Sequence, residues 1–246
     1  MKTMKRIIVL STLIFLSFQS ISAQGVKGLF DKVTKATTGT TGSLSNDDII
    51  NGLKEALRVG TDSSTKKLSK MDGFFTDAAI KILMPEEAKK MEKTLRNFGM
   101  GSLVDKAILS MNRAAEDAAN GVGNIFWDAI KQMSIKDGIQ ILRGGDFAAT
   151  DYLKSMTTKE LTEKIRPVIE TSLIKVDATK YWKDVVTAYN RFSAAPVNTD
   201  LNAYVTEKAL GGLFYNIGLQ EQKIRKDPAA RVTEILRKVF GNNYSG

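Results

Sequence analysis

Between Asn46 and Gly241 the apolar residues return every three or four positions, the spacing that lines one face of an α-helix. A strand would instead need apolar and polar residues to alternate, and Ile80 to Leu83 is the only short candidate for that. Stripes of helical period have to be buried helix against helix. The sequence therefore predicts an all-α fold, a single multi-helix bundle of about nine or ten helices. With 246 residues, 43% hydrophobic and 26% charged, the chain is of globular composition and long enough to bury about 70% of its unfolded surface without cross-links.

Capping chemistry marks where the helices start and stop. The first runs from Asp47 to about Leu68, with Gly60 and Ser64 on its apolar face implying a close crossing or a break. Pro85, with Glu86 and Glu87 behind it, opens an element that Gly99 closes. Ser102 with Asp105 resembles a capping box for a helix whose seam is Val104, Ala107, Ile108, Met111, Ala115 and Ala118. A helix over Ile125 to Gln132 follows, then one opened by Ser134 with Asp137 and stopped by Gly144-Gly145. Asp146 is expected to cap Phe147 to Met156, and Thr157 with Glu160 to open a separate helix that kinks or splits at Pro167. Asp177 caps a helix bearing Tyr181, Trp182, Val185, Val186 and Tyr189, which ends before Pro196. The longest run is about Asp200 to Lys226, and Asp227-Pro228 opens a last helix ending near Phe240-Gly241.

Residues 1–23 read as a secretory signal peptide. Lys2, Lys5 and Arg6 precede an apolar run from Ile7 to Phe18, and small residues end at Ala23 before Gln24. The run is shorter than the roughly 20 residues that span a bilayer. With no Cys in the chain there is no site for lipid attachment, so the expectation is an exported protein, periplasmic or secreted, that is not a lipoprotein. Residues 24–45 combine a short amphipathic piece (Val26, Leu29, Phe30, Val33) with a Thr/Gly/Ser-rich linker. Residues 46–241 are the helical domain and 242–246 a tail, where Asn243-Tyr244-Ser245 matches a glycosylation sequon by chance.

The chain has neither Cys nor His, which excludes disulfides, zinc fingers, Cys nucleophiles and histidine-based triads. Neither phosphate-binding glycine loops nor calcium loops occur, so no cofactor or metal is expected. Loss of the leader lowers the formal charge from +9 to +6, a surplus suited to weak association with anionic envelope polymers or lipid headgroups. The basic pairs Lys66-Lys67, Lys89-Lys90 and Arg237-Lys238 are scattered and lack interleaved aromatics, which argues against nucleic acid.

Two polar groups are candidate network or ligand-binding sites. In the first, Asn112, Arg113 and Glu116 lie within one helix turn, and Arg113 can reach Glu116 or Asp117. These charges form either a solvated back face or, because Ala114, Ala115, Ala118 and Ala119 keep the helix narrow, a buried network. The second comprises Asp146, Asp151, Arg225 and Arg231, near helix ends. There Asp146 is a helix cap, and the two arginines either grip a carboxylate or phosphate or tie a turn to a neighbouring helix. Gly211, Gly212 and Gly218 interrupt a predicted helix at about 1 kcal/mol each relative to Ala, as close helix contact would require.

An internal duplication is a further expectation. At an offset of 85, Leu57, Arg58 and Gly60 align with Leu142, Arg143 and Gly145, Thr65 with Thr150, Leu68 with Leu153, and Met71 with Met156. Lys81-Ile82 before Pro85 echoes Lys164-Ile165 before Pro167. If duplication is real, the two halves share helix order.

Leu53-Lys54-Glu55-Ala56-Leu57, Asp72-Gly73-Phe74, Met111-Asn112-Arg113-Ala114-Ala115-Glu116, Gly145-Asp146-Phe147-Ala148-Ala149-Thr150 and Pro228-Ala229-Ala230-Arg231 look like the bacterial domain-of-unknown-function 4197 family. So do Tyr204-Val205-Thr206, Ile224-Arg225 and the closing Lys238-Val239-Phe240-Gly241. The resemblance implies an exported helical domain without an assigned activity. It also implies an acidic run where this chain has Gln220-Glu221-Gln222, and a weaker cation site if that run binds one. Two functions stay open. One is a non-enzymatic envelope scaffold or binding module, with an envelope protein or an apolar or anionic ligand as partner. The other is a carboxylate-dependent hydrolase or lyase acting on envelope polymers, which needs two opposed acids in a cleft. Peripheral membrane association through Val26 to Val33 is a weaker third idea.

Overall fold

The computed structural model describes residues 44–191 and 200–241, within the unit Leu44–Gly246, apart from the side chain of Ile135. The expected leader, amphipathic piece, most of the linker, Pro196 and the tail lie outside the described residues. Among those described there are nine α-helices and no strand: α1 Asn46–Leu68, α2 Lys89–Asn97, α3 Gly101–Ala119, α4 Gly123–Lys131, α5 Ile135–Leu142, α6 Ala148–Lys175, α7 Ala178–Asn190, α8 Leu201–Lys226 and α9 Glu234–Gly241. Short 3₁₀ turns at Glu86–Ala88 and Pro228–Ala230 precede α2 and α9. No helix among the described residues is long and apolar enough to cross a membrane.

Helix α8 packs against α1, α6 and α3, while α1 also carries α5 and α9, and α7 lies on α3 and α6. Leu53, Leu57, Phe74, Met111, Phe126 and Ile130 are fully buried in this core, and Phe126 meets Phe214 edge to face at 5.5 Å. The predicted close crossing occurs where α1 meets α8, since a Cβ at Gly60 would lie 3.4 Å from the Gln220 side chain. Glycines in α8 admit aromatic rings from elsewhere. A Cβ at Gly212 would fall 2.6 Å from the Phe74 ring, and one at Gly218 would fall 3.1 Å from Phe147.

Several helix ends differ from expectation, each for a local reason. Ser45 caps α1 in a reciprocal box with Asp48, and Ser134 does the same with Asp137 for α5, as the sequence indicated for the latter. Ser102 is not a cap. Gly99, at φ 76, ends α2, and the chain re-enters a helix at once at Gly101, which places Ser102 inside α3 and leaves Asp105 to pair with Arg96 at 2.7 Å. Pro85 precedes a 3₁₀ turn instead of standing inside an α-helix. Asp177 precedes α7 in the left-handed region at φ 55, where its side chain caps nothing. Asp227 does cap, but it caps the turn Pro228–Ala230, so α9 starts at Glu234.

The expected break between Phe147–Met156 and a second helix at Thr157 is absent. Thr157 is buried within α6 and donates to the Leu153 carbonyl, four residues back. Leu153, Leu161, Ile165, Ile169 and Leu173 form one buried stripe that a break would divide. Pro167 is accommodated because the carbonyl it leaves without a donor belongs to exposed Glu163. The duplication register fails for the same reason: Leu57 to Leu68 lies within α1, whereas Leu142 to Leu153 spans the end of α5, a turn and the start of α6. Lys81-Ile82 is non-helical, and its expected counterpart Lys164-Ile165 is mid-helix.

Candidate functional site

The first candidate group builds a joint between α3 and the segment after α1. Asn112 is fully buried. Its amide oxygen accepts from the Ile82 amide at 2.9 Å, and its Nδ2 donates to the Ile82 carbonyl at 2.8 Å and to that of Ile108 at 2.8 Å. The segment that resembled a strand thus pairs with a side chain in place of a second strand. One turn on, buried Glu116 accepts the consecutive amides of Phe74 at 3.1 Å and Phe75 at 3.2 Å through one oxygen. Its other oxygen takes Arg113 at 2.6 Å, and Arg113 reaches Asp72 at 2.7 Å. Asp72 sits at φ 67, a left-handed turn that this contact helps to hold. Asp117, the other partner considered for Arg113, turns to α6. There the Lys175 ammonium, together with the Ser172 hydroxyl, holds its carboxyl below the usual aspartate range.

The second group builds another joint around α8, and its central residue is Glu221. Its oxygens accept the amides of Ala149 at 2.9 Å and Thr150 at 2.8 Å, the free donors of the first turn of α6, and the Thr150 hydroxyl at 2.7 Å. Arg225, one turn along, bonds Glu221 at 2.8 Å and donates to the carbonyls of Ile141 at 3.0 Å and Leu142 at 3.3 Å, at the C-terminus of α5. An anion therefore stands at the positive end of one helix and a cation at the negative end of the preceding one. Asp146 does not cap α6. Its carboxylate accepts from Lys226 at 2.5 Å and Gln222 at 2.9 Å, contacts that lower its pKa in that order. Arg231 donates to the carbonyls of Ile224 at 3.0 Å and Arg225 at 2.9 Å, closing the end of α8. Asp151 is exposed.

Asn112, Arg113 and Glu116 thus come together, and near the C-terminus of α8 Arg231 meets the Arg225 backbone while Asp146 meets Gln222 and Lys226, but the two sets occupy separate joints. None of the six lines the groove described next or the three smaller pockets. Sequence reasoning missed Glu221 as a structural residue. Its signal was available as Glu and Arg four residues apart within a helix, with Ile217 and Ile224 on the same face.

A groove of about 610 Å³ lies between α6 and α8, closed on one side by Ala79–Lys81. The helices run antiparallel, fastened at one end by Glu221 to Ala149 and Thr150, and at the other by Arg166 to Asp200 at 2.9 Å. Along α6 the groove presents Lys154, Thr158, Thr162 and Arg166 at successive turns, and along α8 it presents Ala203, Glu207, Gly211 and Tyr215. Ile80, Leu210 and Phe214 form its base. Lys81 and Lys208 add positive charge, leaving Glu207 as the one acid. Among the described residues no cluster of three or more acids could hold a metal ion.

A family model described as "Protein of unknown function (DUF4197)" matches residues 43–241, and the chain belongs to that family. No match was found among curated proteins or solved structures.

Proposed function

We propose that this DUF4197 protein is a non-enzymatic, exported binding module whose ligand lies in the groove between α6 and α8. The observation that carries the reading is Gly211. Among α8's interior glycines, Gly212 and Gly218 make room for rings of the chain itself, but among the described residues no atom beyond α8's own local backbone lies within 4 Å of where a Cβ would stand at Gly211. A glycine costs a helix about 1 kcal/mol, and here no packing by the described residues offsets it. Open backbone on the wall of a groove suits close approach by a ligand. Its volume falls within the few hundred to about 1,000 Å³ usual for such sites.

Carboxylate catalysis has less support. The two deeply buried glutamates are occupied by backbone amides and arginines, and the groove offers Glu207 alone where glycoside chemistry needs an opposed pair. The test is uptake of an uncharged apolar fluorophore, N-phenyl-1-naphthylamine. Saturable binding that Gly211→Leu abolishes, in a variant with unchanged circular dichroism, is the expected result. Absence of binding, or binding indifferent to that variant, refutes the reading. For export, N-terminal sequencing of the mature product is expected to begin at Gln24, and an intact leader on a cytosolic product would refute that part.

A further inference from the structure

The geometry points to a single-chain anionic amphiphile as the ligand, its apolar chain lying along Gly211 and its charged head held by Lys81 and Lys154. This rests on the groove being a ligand site and adds the chemical class. Three observations converge on it.

The walls are less polar than their residue types suggest. Thr158 donates its hydroxyl proton to the Lys154 carbonyl at 2.5 Å, Thr162 to that of Thr158 at 2.7 Å, and Thr206 to the Asn202 side chain at 3.2 Å. With those protons engaged inside their own helices, the threonines offer a ligand methyl groups and acceptor lone pairs, not donors. Along these threonines a neutral sugar would find methyl groups and acceptors but no hydroxyl donors, which leaves charged side chains as the groove's main donors.

The charges are unbalanced in one direction. Arg166 is held by Asp200, and Lys208 lies 3.3 Å from Glu207. Among the described residues neither Lys154 nor Lys81 forms a salt bridge, and the Lys81 ammonium stands 3.8 Å over the Phe75 ring. Two cations in one groove, unpaired among the described residues and outnumbering its single acid Glu207, select an anionic head.

The shape is elongated. Lys154 to Arg166 on α6 and Ala203 to Tyr215 on α8 each extend about 18 Å along their axes, which fits an extended chain better than a compact ring.

The test displaces bound N-phenyl-1-naphthylamine from the purified protein with dodecanoate, dodecyl phosphate and dodecyltrimethylammonium, all below their micelle concentrations. Both anions are expected to displace the probe at concentrations about tenfold or more below the ammonium compound. The double variant Lys81→Gln/Lys154→Gln, which alters two side chains outside the core, is expected to erase that preference while still binding the probe. The tighter of the two anions tells a free fatty carboxylate from a phosphate-headed lipid, and either one supports the class. If the probe binds and the ammonium compound competes as well as the anions, the charge assignment is overturned while the groove remains a site. An anion preference that survives in the double variant also overturns it. If the probe itself fails to bind, the underlying groove reading falls instead.

Discussion

The two halves of α8 face the rest of the protein in opposite ways. Toward its C-terminus Asn216 accepts from Lys67 and donates to the Gly212 carbonyl, Gln222 reaches Asp146, and Glu221 and Arg225 fasten two other helices. Gly218 lies under Phe147. On the groove side Lys208 has a 3.3 Å contact to its neighbour Glu207 and stands 5.5 Å over the Tyr204 ring, Gly211 faces open space and Tyr215 is exposed. One half is architecture, with its polar groups answered by the chain. The other answers its polar groups at its edge or within its own turns, as Tyr204 does at the Leu83 carbonyl and Thr206 at Asn202, and leaves the Gly211 backbone uncovered among the described residues, which is the physical difference between a joint and a site.

The comparison breaks if the joint tolerates loss of its acid. Glu221→Ala leaves two helix amides and Arg225 buried without their counter-charge, and is expected to cost about 3 to 5 kcal/mol in urea unfolding. Asp146→Asn, by contrast, should leave the unfolding midpoint unchanged within error, because its partners remain in water. The adjacent glycines give the next sharpest contrast. Gly212→Ala drives a methyl into the buried Phe74 ring and is expected to destabilise by about 1 to 3 kcal/mol. Gly211→Ala meets nothing and should stabilise by about 1 kcal/mol through helix propensity. Opposite signs at neighbouring positions, read from the same unfolding curves, would sharpen the division of α8; equal signs would erase it.

Two smaller effects follow from titration. Asp117 has a depressed pKa, so its contribution is present above the ordinary aspartate value and disappears as pH falls through the lowered one. Unfolding of wild type and Asp117→Asn should therefore differ by under about 1 kcal/mol at neutral pH and converge in acid. Tyr152 runs the other way. Burial, aided by its bond to Asp137, raises the phenol from 10.0 to about 12, so the associated stability is present below the ordinary value and is lost as pH climbs between the two. Burial also raises the Tyr204 phenol, so ultraviolet titration should show a late-titrating group that loses one phenol in Tyr152→Phe.

The helical class and most helix positions were legible because burial imposes its period directly on the sequence, as the stripe Leu53, Leu57, Leu68 in α1 illustrates. Ends were legible only where the cap is local. Ser134 with Asp137 could be read because both partners lie within one turn. The start of α6 could not, since its donors are answered from α8, and Asp146, the local choice, bonds elsewhere. Thr157 misled because a hydroxyl suited to a cap also serves as a donor to a carbonyl within a helix. The polar group Asn112, Arg113 and Glu116 was visible as a cluster, but its partners in Asp72 to Ile82 required the fold. The groove had no signature beyond three glycines in one helix. Only the surroundings separate Gly211 from Gly212.

The placement of Glu221 also makes two peptide groups reporters on the whole molecule. The Ala149 and Thr150 amides are held by a residue 72 and 71 positions away in the chain, so local fraying of α6 cannot by itself describe their exposure to solvent. In hydrogen–deuterium exchange they should be released together with the undocking of α8. Helix-start amides ordinarily exchange early, and here they would be among the slow ones.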